Sequence, residues 1–510
     1  MSDKISRRSF LEAAKVAPLA AGLVAVGGNA AIKENQDVLE VSPTPKFNLS
    51  PWLYMQFMEP LGATDGSVAF AWDNRRQVWK RDVVRMTKDL APSMLRWGGC
   101  FSSYYRWREG VGPRSERVMM DNLLWGGYES NQVGTVEFVN FCQQVGADPL
   151  MCVNFESDGR KQWMKDPFGN IRIGDAAEAA AWVSYCNNPG DALRKKHGVQ
   201  EDTRIPMWQL GNETSYDKNG FNMETAGHVT IQFAEAMRKA DPSIDLIGWG
   251  DSGWAPRMIE MAGEHLQYIA FHHMFNPGAK KDSVLQGTEY RNDPDRTWAE
   301  LMEAWRPHEA KIKQIREETD KYGIPLALTE CHFALQGPNR CHVLSSWAAG
   351  VAMARLLNVH SRHGDVLKIA TGADFCGNVW QVNALMIPDR QRPYLMPVAR
   401  VMQLFRNHVG NEAIEVEHCP DGLDVTASRT GNAVFLHVVN TNRTRSVSVD
   451  FRVGGSEFKS AKVFQIAVDP DFEVWSATHE VLEPEELTVP QNGRWDFPGA
   501  SVSAVELKLA

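Results

Sequence analysis

The sequence predicts an α/β protein, a (β/α)8 TIM barrel followed by a C-terminal antiparallel β-sandwich. Two observations predict the barrel: eight short apolar, β-prone segments alternate with amphipathic helical segments, and they extend over about 340 residues. A third observation predicts the sandwich, because segments after about residue 395 alternate apolar and polar residues with Gly, Asn and Pro between them. The predicted domains are a catalytic barrel over 48–394 and a sandwich over 395–510.

The individual elements follow from residue periodicity. The predicted barrel strands are 52–57, 94–97, 149–154, 205–210, 245–249, 268–271, 326–329 and 368–373. The clearest helical patterns between them are 136–145, 177–186, 226–240, 298–322 and 343–362, and an irregular insert is expected over 276–295. The predicted sandwich strands are 422–426, 433–439, 446–453, 462–466, 486–489 and 503–507.

Composition excludes several classes of protein. The 54 Lys and Arg residues are scattered among 63 Asp and Glu residues, giving a net charge of −9, so nucleic acid is not an expected partner. Eight Cys occur without a C-x-x-C pair, which disfavours a zinc cluster and a dense disulfide framework. Fifteen of the 17 Trp fall between residues 52 and 380, where they serve either core packing or sugar stacking.

The first 31 residues have the layout of an export signal. Arg7 and Arg8 precede Ser9-Phe10-Leu11, an apolar stretch covers 16–26, and small residues follow it. That stretch is too short to span a bilayer comfortably, so no stable membrane insertion is expected. The paired arginines resemble a twin-arginine signal, which exports folded proteins, and predict a periplasmic or extracellular location.

Two glutamates follow predicted strands on different sides of the barrel. Strand four runs into Gly211-Asn212-Glu213, and strand seven runs into Glu330. Barrel enzymes carry their chemistry at the carboxyl ends of strands. Cleavage of a glycosidic bond needs two carboxyl groups, one to protonate the leaving oxygen and one to attack the anomeric carbon or activate water. A single Glu after Gly-Asn is often only a turn or cap residue, but the pair favours a glycosidase.

The surroundings of the two glutamates are expected to differ. Glu213 follows an apolar strand that holds Trp208, a setting that disfavours charge and keeps an acid protonated. His272 and His273, at the end of strand six, can supply donors to Glu330. The two histidines are adjacent rather than four residues apart, so a metal hydrolase is disfavoured and no metal or cofactor is expected.

Several segments resemble one known family. WQLGNE at 208–213 resembles the W-x-x-G-N-E segment of the α-L-arabinofuranosidases of glycoside hydrolase family 51, retaining enzymes with a (β/α)8 barrel and a C-terminal β-sandwich. QFMEPLG at 56–62 resembles the family's Q-F-x-E-H-L-G, LRWGGCF at 95–101 its L-R-W-P-G-G-C-F, and YRWREGVGPR at 105–114 its Y-x-W-R-D-G-I-G-P-R. The similarity covers roughly 48–390 in family order.

The resemblance implies roles for individual residues. Glu213 is the implied acid/base, Glu330 the nucleophile, and Asn212 a hydrogen-bond partner of the sugar 2-hydroxyl. Glu59 and Trp125 are the implied walls of the sugar subsite, although Glu59 could instead pair with Arg96 and Trp125 could merely pack a loop. The remaining candidate substrate-binding residues are Cys100, His272, His273 and Gln381.

The sequence also departs from the family around the pocket. The proline expected between Trp97 and Gly98 is absent, and Cys331-His332 replace the usual Trp-Asn after the nucleophile. The family's His-Tyr after strand six reads His272-His273, and the segment containing Gln381 lacks one residue. These pocket changes leave the catalytic class intact but permit a different preferred sugar.

The leading hypothesis is an exported retaining glycosidase that removes terminal α-L-arabinofuranosyl or similar residues from polysaccharides. One alternative is another retaining barrel glycosidase, of the β-xylosidase or endoglucanase type. A second is a secreted carbohydrate-binding protein without catalysis. The expected partner is an arabinose-containing polysaccharide or oligosaccharide, and the resemblance also implies a possible homo-oligomer.

Overall fold

The chain forms a barrel and a β-sandwich in the computed structural model, which describes residues 37–200, 202–276, 282–335, 342–491 and 493–510. The predicted signal at 1–31 lies outside the described residues, as does part of the predicted insert at 276–295. Among the residues described, no helix combines the length and apolar character needed to cross a membrane. The predicted fold class is confirmed.

Eight parallel strands form the barrel. In chain order they are Gln56–Met58, Met94–Trp97, Asp148–Val153, Met207–Leu210, Asp245–Trp249, Tyr268–Phe275, Leu326–Phe333 and Leu367–Ala370. Each strand pairs with the next, and Met55 N donates to Ala370 O at 3.0 Å, which joins the first strand to the eighth. Three short strands, Asp374–Gly377, Asn383–Met386 and Tyr394–Leu395, continue the sheet beside the first strand.

The barrel interior is packed with apolar side chains below the carboxyl ends of the strands. Alternate residues of a strand point to opposite faces of a sheet, so every second residue faces the interior. One interior cluster takes a residue from each barrel strand or its first neighbour: Met55, Met94, Leu150, Met207, Ile247, Ala270, Ala327 and Ile369. The barrel is therefore closed below the mouth, and polar chemistry is confined to the strand ends.

Helices cover the outside of the barrel. They are Ser67–Ala71, Arg81–Leu90, Thr135–Val145, Ala176–Asn187, Ala192–Lys196, Met223–Ala240, Ala255–Ala262, Pro294–Met302, Trp305–Thr319, Trp347–Arg362 and Pro397–Asn407. Side-chain caps fix several starts: Asp175 accepts from Glu178 N, and Ser346 accepts from Ala349 N. Two helices replace the single one expected over 298–322, because Pro307 lacks an amide hydrogen and is tolerated only in a first turn.

The second unit is a single nine-stranded sheet that encloses its own apolar core. Its strands are Val38–Asn48, Glu412–His418, Leu423–Thr430, Ala433–Asn440, Val447–Val453, Phe458–Ile466, Glu485–Thr488, Arg494–Phe497 and Val502–Leu509. Side chains from both ends of the sheet, such as Leu39, Val449, Val463 and Val505, share one buried cluster, as in a sandwich.

The first strand of the described chain lies within this sheet of C-terminal strands. Val38–Asn48 lies between Glu412–His418, to which it is antiparallel, and Val447–Val453, to which it is parallel. Neither this strand nor its parallel pairing was predicted from the sequence. Helix Pro397–Asn407, which the sequence boundary at 395 placed with the sandwich, packs against the barrel helices Arg81–Leu90 and Trp347–Arg362.

Candidate active site

Glu213 and Glu330 lie close together at the mouth of the barrel. Glu213 follows the fourth strand, Met207–Leu210, and Glu330 lies in the seventh, Leu326–Phe333. One carboxylate oxygen of each lies within 4.8 Å of the other, and His272 Nδ1 is within that distance of both. Glu330 is buried, whereas the Glu213 side chain remains 14% exposed. The structure thus brings together the two glutamates that the sequence singled out.

His272 lies between the two carboxylates. Its Nδ1 is 3.1 Å from Glu213 Oε1 and 3.6 Å from Glu330 Oε2, and its Nε2 is 3.0 Å from Thr329 Oγ1. The ring also packs edge-on against Trp249, with ring centroids 4.7 Å apart. These contacts fix the imidazole with one nitrogen facing both acids.

A β-bulge explains how Thr329 and Glu330 both contact His272. The sixth and seventh strands pair Phe271 with Leu328 but His272 with Glu330, so the register shifts by one residue at Thr329. Such a bulge redirects side chains that would otherwise alternate between the two faces. The consecutive residues Thr329 and Glu330 therefore both reach the same imidazole.

Arg96 joins three polar side chains beneath the site. It is fully buried; its Nη1 donates to Glu330 Oε1 at 2.7 Å, its Nη2 to Asn212 Oδ1 at 2.7 Å, and its Nε to Gln209 Oε1 at 2.8 Å. The alternative pairing of Arg96 with Glu59 is not what the structure shows, because the guanidinium contacts Glu330. Sequence reasoning missed this role, although an arginine inside an apolar barrel strand was the available signal.

The backbone at Glu213 is held in an uncommon conformation. Its φ is +53°, in the left-handed region that non-glycine residues rarely adopt. The buried Asp158 contacts both neighbours, since its Oδ1 accepts from Asn212 N at 3.0 Å and from Thr214 Oγ1 at 2.7 Å. Arg160 Nη2 also donates to Glu213 O at 2.5 Å. Because surrounding structure must over-determine such strain, Asp158 and Arg160 are positioning residues for Glu213.

Replacing Asp158 with alanine is expected to lower kcat by about 100-fold, since displacing a reacting group by about 1 Å has effects of that order. Asp158→Asn should retain most of the activity, because its amide oxygen can still accept from Asn212 N and Thr214 Oγ1. Steady-state kinetics on an aryl glycoside check this prediction. Equal losses in the two variants, or a loss confined to KM, would contradict it.

Glu59 and Trp125 are in direct contact. Trp125 Nε1 donates to Glu59 Oε1 at 3.0 Å, and Phe101 N donates to the same oxygen at 3.2 Å. The Trp125 ring packs edge-on against Trp380, with centroids 5.2 Å apart. Gly99 has φ +144°, and a Cβ there would lie 2.2 Å from Glu59 Cδ, so only glycine permits this close approach.

Burial, together with the charge of Glu330, raises the pKa of Glu59 well above its ordinary value. A carboxyl group with a raised pKa in the folded state contributes full stability below its unfolded pKa of about 4.3 and loses it as pH rises toward the folded pKa. Glu59→Gln is therefore expected to raise Tm by at least about 2 °C at pH 7.5 and to leave it unchanged at pH 3.5.

Differential scanning calorimetry at the two pH values checks this prediction. The matched control is Glu235→Gln, at an exposed helix position. The same Tm increase at both pH values would show that the effect does not come from ionisation of Glu59.

Cys100 and Asn212 complete the pocket around Glu213. Cys100 Sγ is 3.4 Å from Glu213 Oε2 and 3.8 Å from Asn212 Nδ2. The loop that lacks the family's proline therefore still brings Cys100 to the acid. Asn212 is fully buried, with its amide oxygen occupied by Arg96.

His273 and Gln381 make no hydrogen bond to Glu213 or Glu330 within the described residues. His273 follows His272 on the strand and faces the outer helices, where its Nδ1 is 3.0 Å from His308 Nδ1 and the two rings stack. The expected donation from His273 to Glu330 is thus corrected, because adjacent strand residues point to opposite faces. The Gln381 amide oxygen accepts from Ser345 Oγ at 2.6 Å, and its role as a sugar ligand stays a prediction.

The pKa of Glu213 departs from the expectation that its apolar surroundings keep this carboxyl group protonated. Trp208 packs outward against Trp182 and donates to Ile205 O, so it does not shield the acid. Burial raises the pKa of Glu213, but the hydrogen bond and charge of His272 outweigh burial and bring that pKa below its usual value. Burial raises the pKa of Glu330 above its usual value, with His272 and Arg96 opposing only part of the rise. The opposite directions reflect the different partners of the two carboxyl groups, His272 and Cys100 beside Glu213 and the deeper burial of Glu330.

Two family models match this chain, the α-L-arabinofuranosidase 1 domain over residues 86–293 and the α-L-arabinofuranosidase C-terminal domain over residues 335–501. This chain belongs to the α-L-arabinofuranosidase family. The first model spans the strand that precedes Glu213 and the second most of the sandwich, so the resemblance seen in the sequence is confirmed.

Characterised α-L-arabinofuranosidases align with parts of the chain. An intracellular exo-α-(1→5)-L-arabinofuranosidase of Acetivibrio thermocellus is 31% identical over 261 residues, 48% of each chain. α-L-Arabinofuranosidase C of Emericella nidulans is 35% identical over 182 residues, 34% of this chain and 33% of its own. The matched region thus spans less than half the length of these relatives.

Solved α-L-arabinofuranosidase structures share the whole fold. The Thermotoga maritima enzyme, solved as an arabinose complex, has a TM-score of 0.74 at 23% identity and covers 93% of this chain and 100% of its own. A family 51 enzyme of Bifidobacterium longum has a TM-score of 0.75 at 19% identity, covering 92% and 99%. At these identities the likeness concerns the fold alone.

Proposed function

We propose that this protein is a retaining glycoside hydrolase that removes terminal α-L-arabinofuranosyl residues from polysaccharides or oligosaccharides. The observation that carries the proposal is the approach of Glu213 and Glu330 oxygens to within 4.8 Å. Retaining glycosidases hold their carboxyl groups about 5–5.5 Å apart, whereas inverting enzymes need about 6.5–9.5 Å to admit a water. The short separation supports double displacement, and family membership supports the sugar.

In the first step a Glu330 oxygen attacks the anomeric carbon as the bond to the leaving oxygen breaks. Glu213 donates its proton to that oxygen, and a glycosyl ester forms on Glu330. In the second step Glu213 takes a proton from water as the water oxygen attacks the anomeric carbon and releases Glu330. Arg96 faces the Glu330 carboxylate in both steps and stabilises its charge when the ester breaks.

The reaction requires one proton on the pair, carried by Glu213 when the substrate is bound. His272 Nδ1 lies 3.1 Å from Glu213 Oε1 and so holds this carboxyl group in place. The two wall residues, Glu59 and Trp125, are proposed to accept sugar hydroxyl protons and to exclude water from one ring face.

A bell-shaped dependence of kcat/KM on pH is expected, because the free pair must hold a single proton. Protonation of both carboxyls abolishes activity on the acid side, and loss of the shared proton abolishes it on the alkaline side. Kinetics with an aryl α-L-arabinofuranoside over about pH 3–9 give the profile, because this range spans the ordinary pKa values of carboxyl groups and histidine. An alkaline limb that persists unchanged in Glu213→Gln would contradict this assignment.

A panel of aryl glycosides tests the sugar preference. Hydrolysis of the α-L-arabinofuranoside with retention of configuration, observed by proton NMR of the first product, is the expected result. Preferential hydrolysis of the β-xyloside or of a glucan would favour the other retaining glycosidases, and sugar binding without turnover would favour a binding protein.

We further propose export from the cytoplasm, supported by the arginine pair and apolar stretch within residues 1–31. The Acetivibrio thermocellus relative is named intracellular, so export distinguishes this chain from that protein. Cell fractionation of the wild type and of an Arg7→Lys/Arg8→Lys variant tests the proposal. Equal cytoplasmic retention of both would contradict it.

A further inference from the structure

Asp65 accepts hydrogen bonds from four residues of one short segment. It lies in the loop after the first barrel strand and is fully buried. Its Oδ1 accepts from the backbone N–H groups of Asn378 and Val379, at 2.6 and 2.8 Å. Its Oδ2 accepts from Trp380 N at 3.3 Å and from Asn383 Nδ2 at 2.6 Å. These bonds offset the cost of burying a carboxylate, and they also fix the backbone of the segment.

The contact between Asp65 and the segment 378–383 is close. The segment follows Gly377 directly, and a Cβ at Gly377 would lie 2.1 Å from Asp65 Oδ2, so a larger residue there would displace the carboxylate. In the opposite direction, Asn378 Oδ1 accepts from Gly66 N at 2.8 Å. The loop after the first strand and the segment beyond the eighth strand are therefore held together from both sides.

The segment places Trp380 at the end of a row of contacts that reaches the catalytic pair. The Trp380 ring packs edge-on against Trp125, at an angle of 81°, and Trp125 Nε1 donates to Glu59 Oε1. Burial and then the charge of Glu330 raise the pKa of Glu59, which shows that these two carboxyl groups are neighbours. The amide oxygen of the next residue, Gln381, is occupied by Ser345, so Trp380 is the residue of this segment that extends the row.

We propose that Trp380 contacts the sugar as a second aromatic face beside Trp125, and that Asp65 is the positioning residue that holds Trp380 there. The inference rests on the proposed function, in which Trp125 covers one face of the sugar ring. Two indole rings that meet at 81° form a corner, and such a corner excludes water from two sides of a small ring. Asp65 acts only through the backbone of the segment and does not touch the substrate.

Steady-state kinetics with an aryl α-L-arabinofuranoside test the proposal. Trp380→Ala is expected to raise KM about 10-fold, the loss that follows when about 50 Å² of apolar contact with the sugar is removed. Asp65→Ala should raise KM by a similar factor. The double variant should raise it no further than Trp380→Ala alone, because both changes remove the same contact. The value of kcat should change little, since neither residue is proposed to contact the anomeric carbon.

Asp65→Asn is the conservative variant. One oxygen still accepts from Asn378 N and Val379 N, but an amide group now faces the Asn383 amide, so KM should lie between those of the wild type and Asp65→Ala. This variant also serves if Asp65→Ala does not fold. KM values that multiply in the Asp65→Ala/Trp380→Ala double variant, or an effect of Asp65→Asn on kcat alone, would overturn the proposal.

Asp424→Ala is the matched control for lost stability. Asp424 is also a buried carboxylate, but its partners Arg355 and Asn358 lie on helix Trp347–Arg362. This variant should lower Tm and leave KM unchanged. The same KM increase in Asp424→Ala as in Asp65→Ala would show that KM reports only general destabilisation, and would overturn the positioning role.

Fluorine NMR of the full chain labelled with fluorotryptophan gives a measurement without turnover. Addition of L-arabinose should shift the Trp380 resonance, assigned by its loss in Trp380→Phe, and leave that of the exposed Trp475 unchanged. Asp65→Asn should move the Trp380 resonance before any sugar is added. An unmoved Trp380 resonance in either experiment overturns this inference, even where the wild type hydrolyses the arabinofuranoside. Wild-type protein that hydrolyses no arabinofuranoside, but shows both shifts, contradicts only the proposed function.

Discussion

Glu330→Gln is expected to lower the turnover of an aryl α-L-arabinofuranoside by about 10⁴-fold or more, the scale of effect seen when a catalytic nucleophile is removed. A neutral amide cannot attack the anomeric carbon, so no glycosyl ester forms. The glutamine oxygen can still accept from Arg96, which in the wild type donates to Glu330 at 2.7 Å. Stopped assays with long incubation measure the residual rate.

A fold control is needed because Arg96 is fully buried and loses its charged partner. Breaking a buried ion pair from one side costs about 3–5 kcal/mol. Thermal unfolding of Glu330→Gln, together with product binding by calorimetry, separates a lost nucleophile from lost structure. A folded variant that retains a tenth of wild-type turnover would exclude Glu330 as the nucleophile.

Glu213→Ala is expected to hydrolyse substrates with poor leaving groups about 10³-fold more slowly, since general acid–base catalysis supplies about 10²–10⁴. Substrates with activated aryl groups need less protonation, so the glycosyl ester should form on Glu330 and accumulate. Azide, which needs no general base, should then release the sugar as a glycosyl azide of the substrate's own configuration. Rate measurements with and without azide, and NMR of the product, give the result.

The matched experiment uses Glu330→Ala. There azide occupies the place of the missing nucleophile and attacks the substrate directly, so the azide product should have the inverted configuration. The two products therefore assign acid/base and nucleophile independently. Inverted azide from Glu213→Ala, or no rescue in either variant, would contradict the roles assigned to these residues.

Most of the barrel could be predicted from the sequence, because buried parallel strands form uninterrupted apolar runs. The runs at 94–97 and 245–249 coincide with observed strands. The strands Tyr268–Phe275 and Leu326–Phe333 extend further than predicted, since His272 and His273 in the first and Glu330 in the second interrupt the apolar pattern. Strand Val38–Asn48 was missed because its prolines and charged residues resemble a linker.

The two glutamates of the site were predictable because each lies within about three residues of the end of an apolar run. The contacts of Arg96 were not, because they depend on which strand residues share the interior, and the bulge at Thr329 has no signature in the sequence. The contacts of His273 were predicted wrongly because its position next to His272 in the sequence does not say which face of the sheet its side chain occupies. Asp158 acts through backbone geometry at Glu213, which only the folded chain reveals.

The position of strand Val38–Asn48 bears on when the chain can fold. Its two neighbours, Glu412–His418 and Val447–Val453, are synthesised only after the entire barrel. During synthesis this strand has neither of its hydrogen-bonding partners, and such long-range pairing slows folding. This strand therefore cannot enter the sheet until the whole barrel has been synthesised, so the N-terminal part of the described chain waits for its partners while the barrel folds.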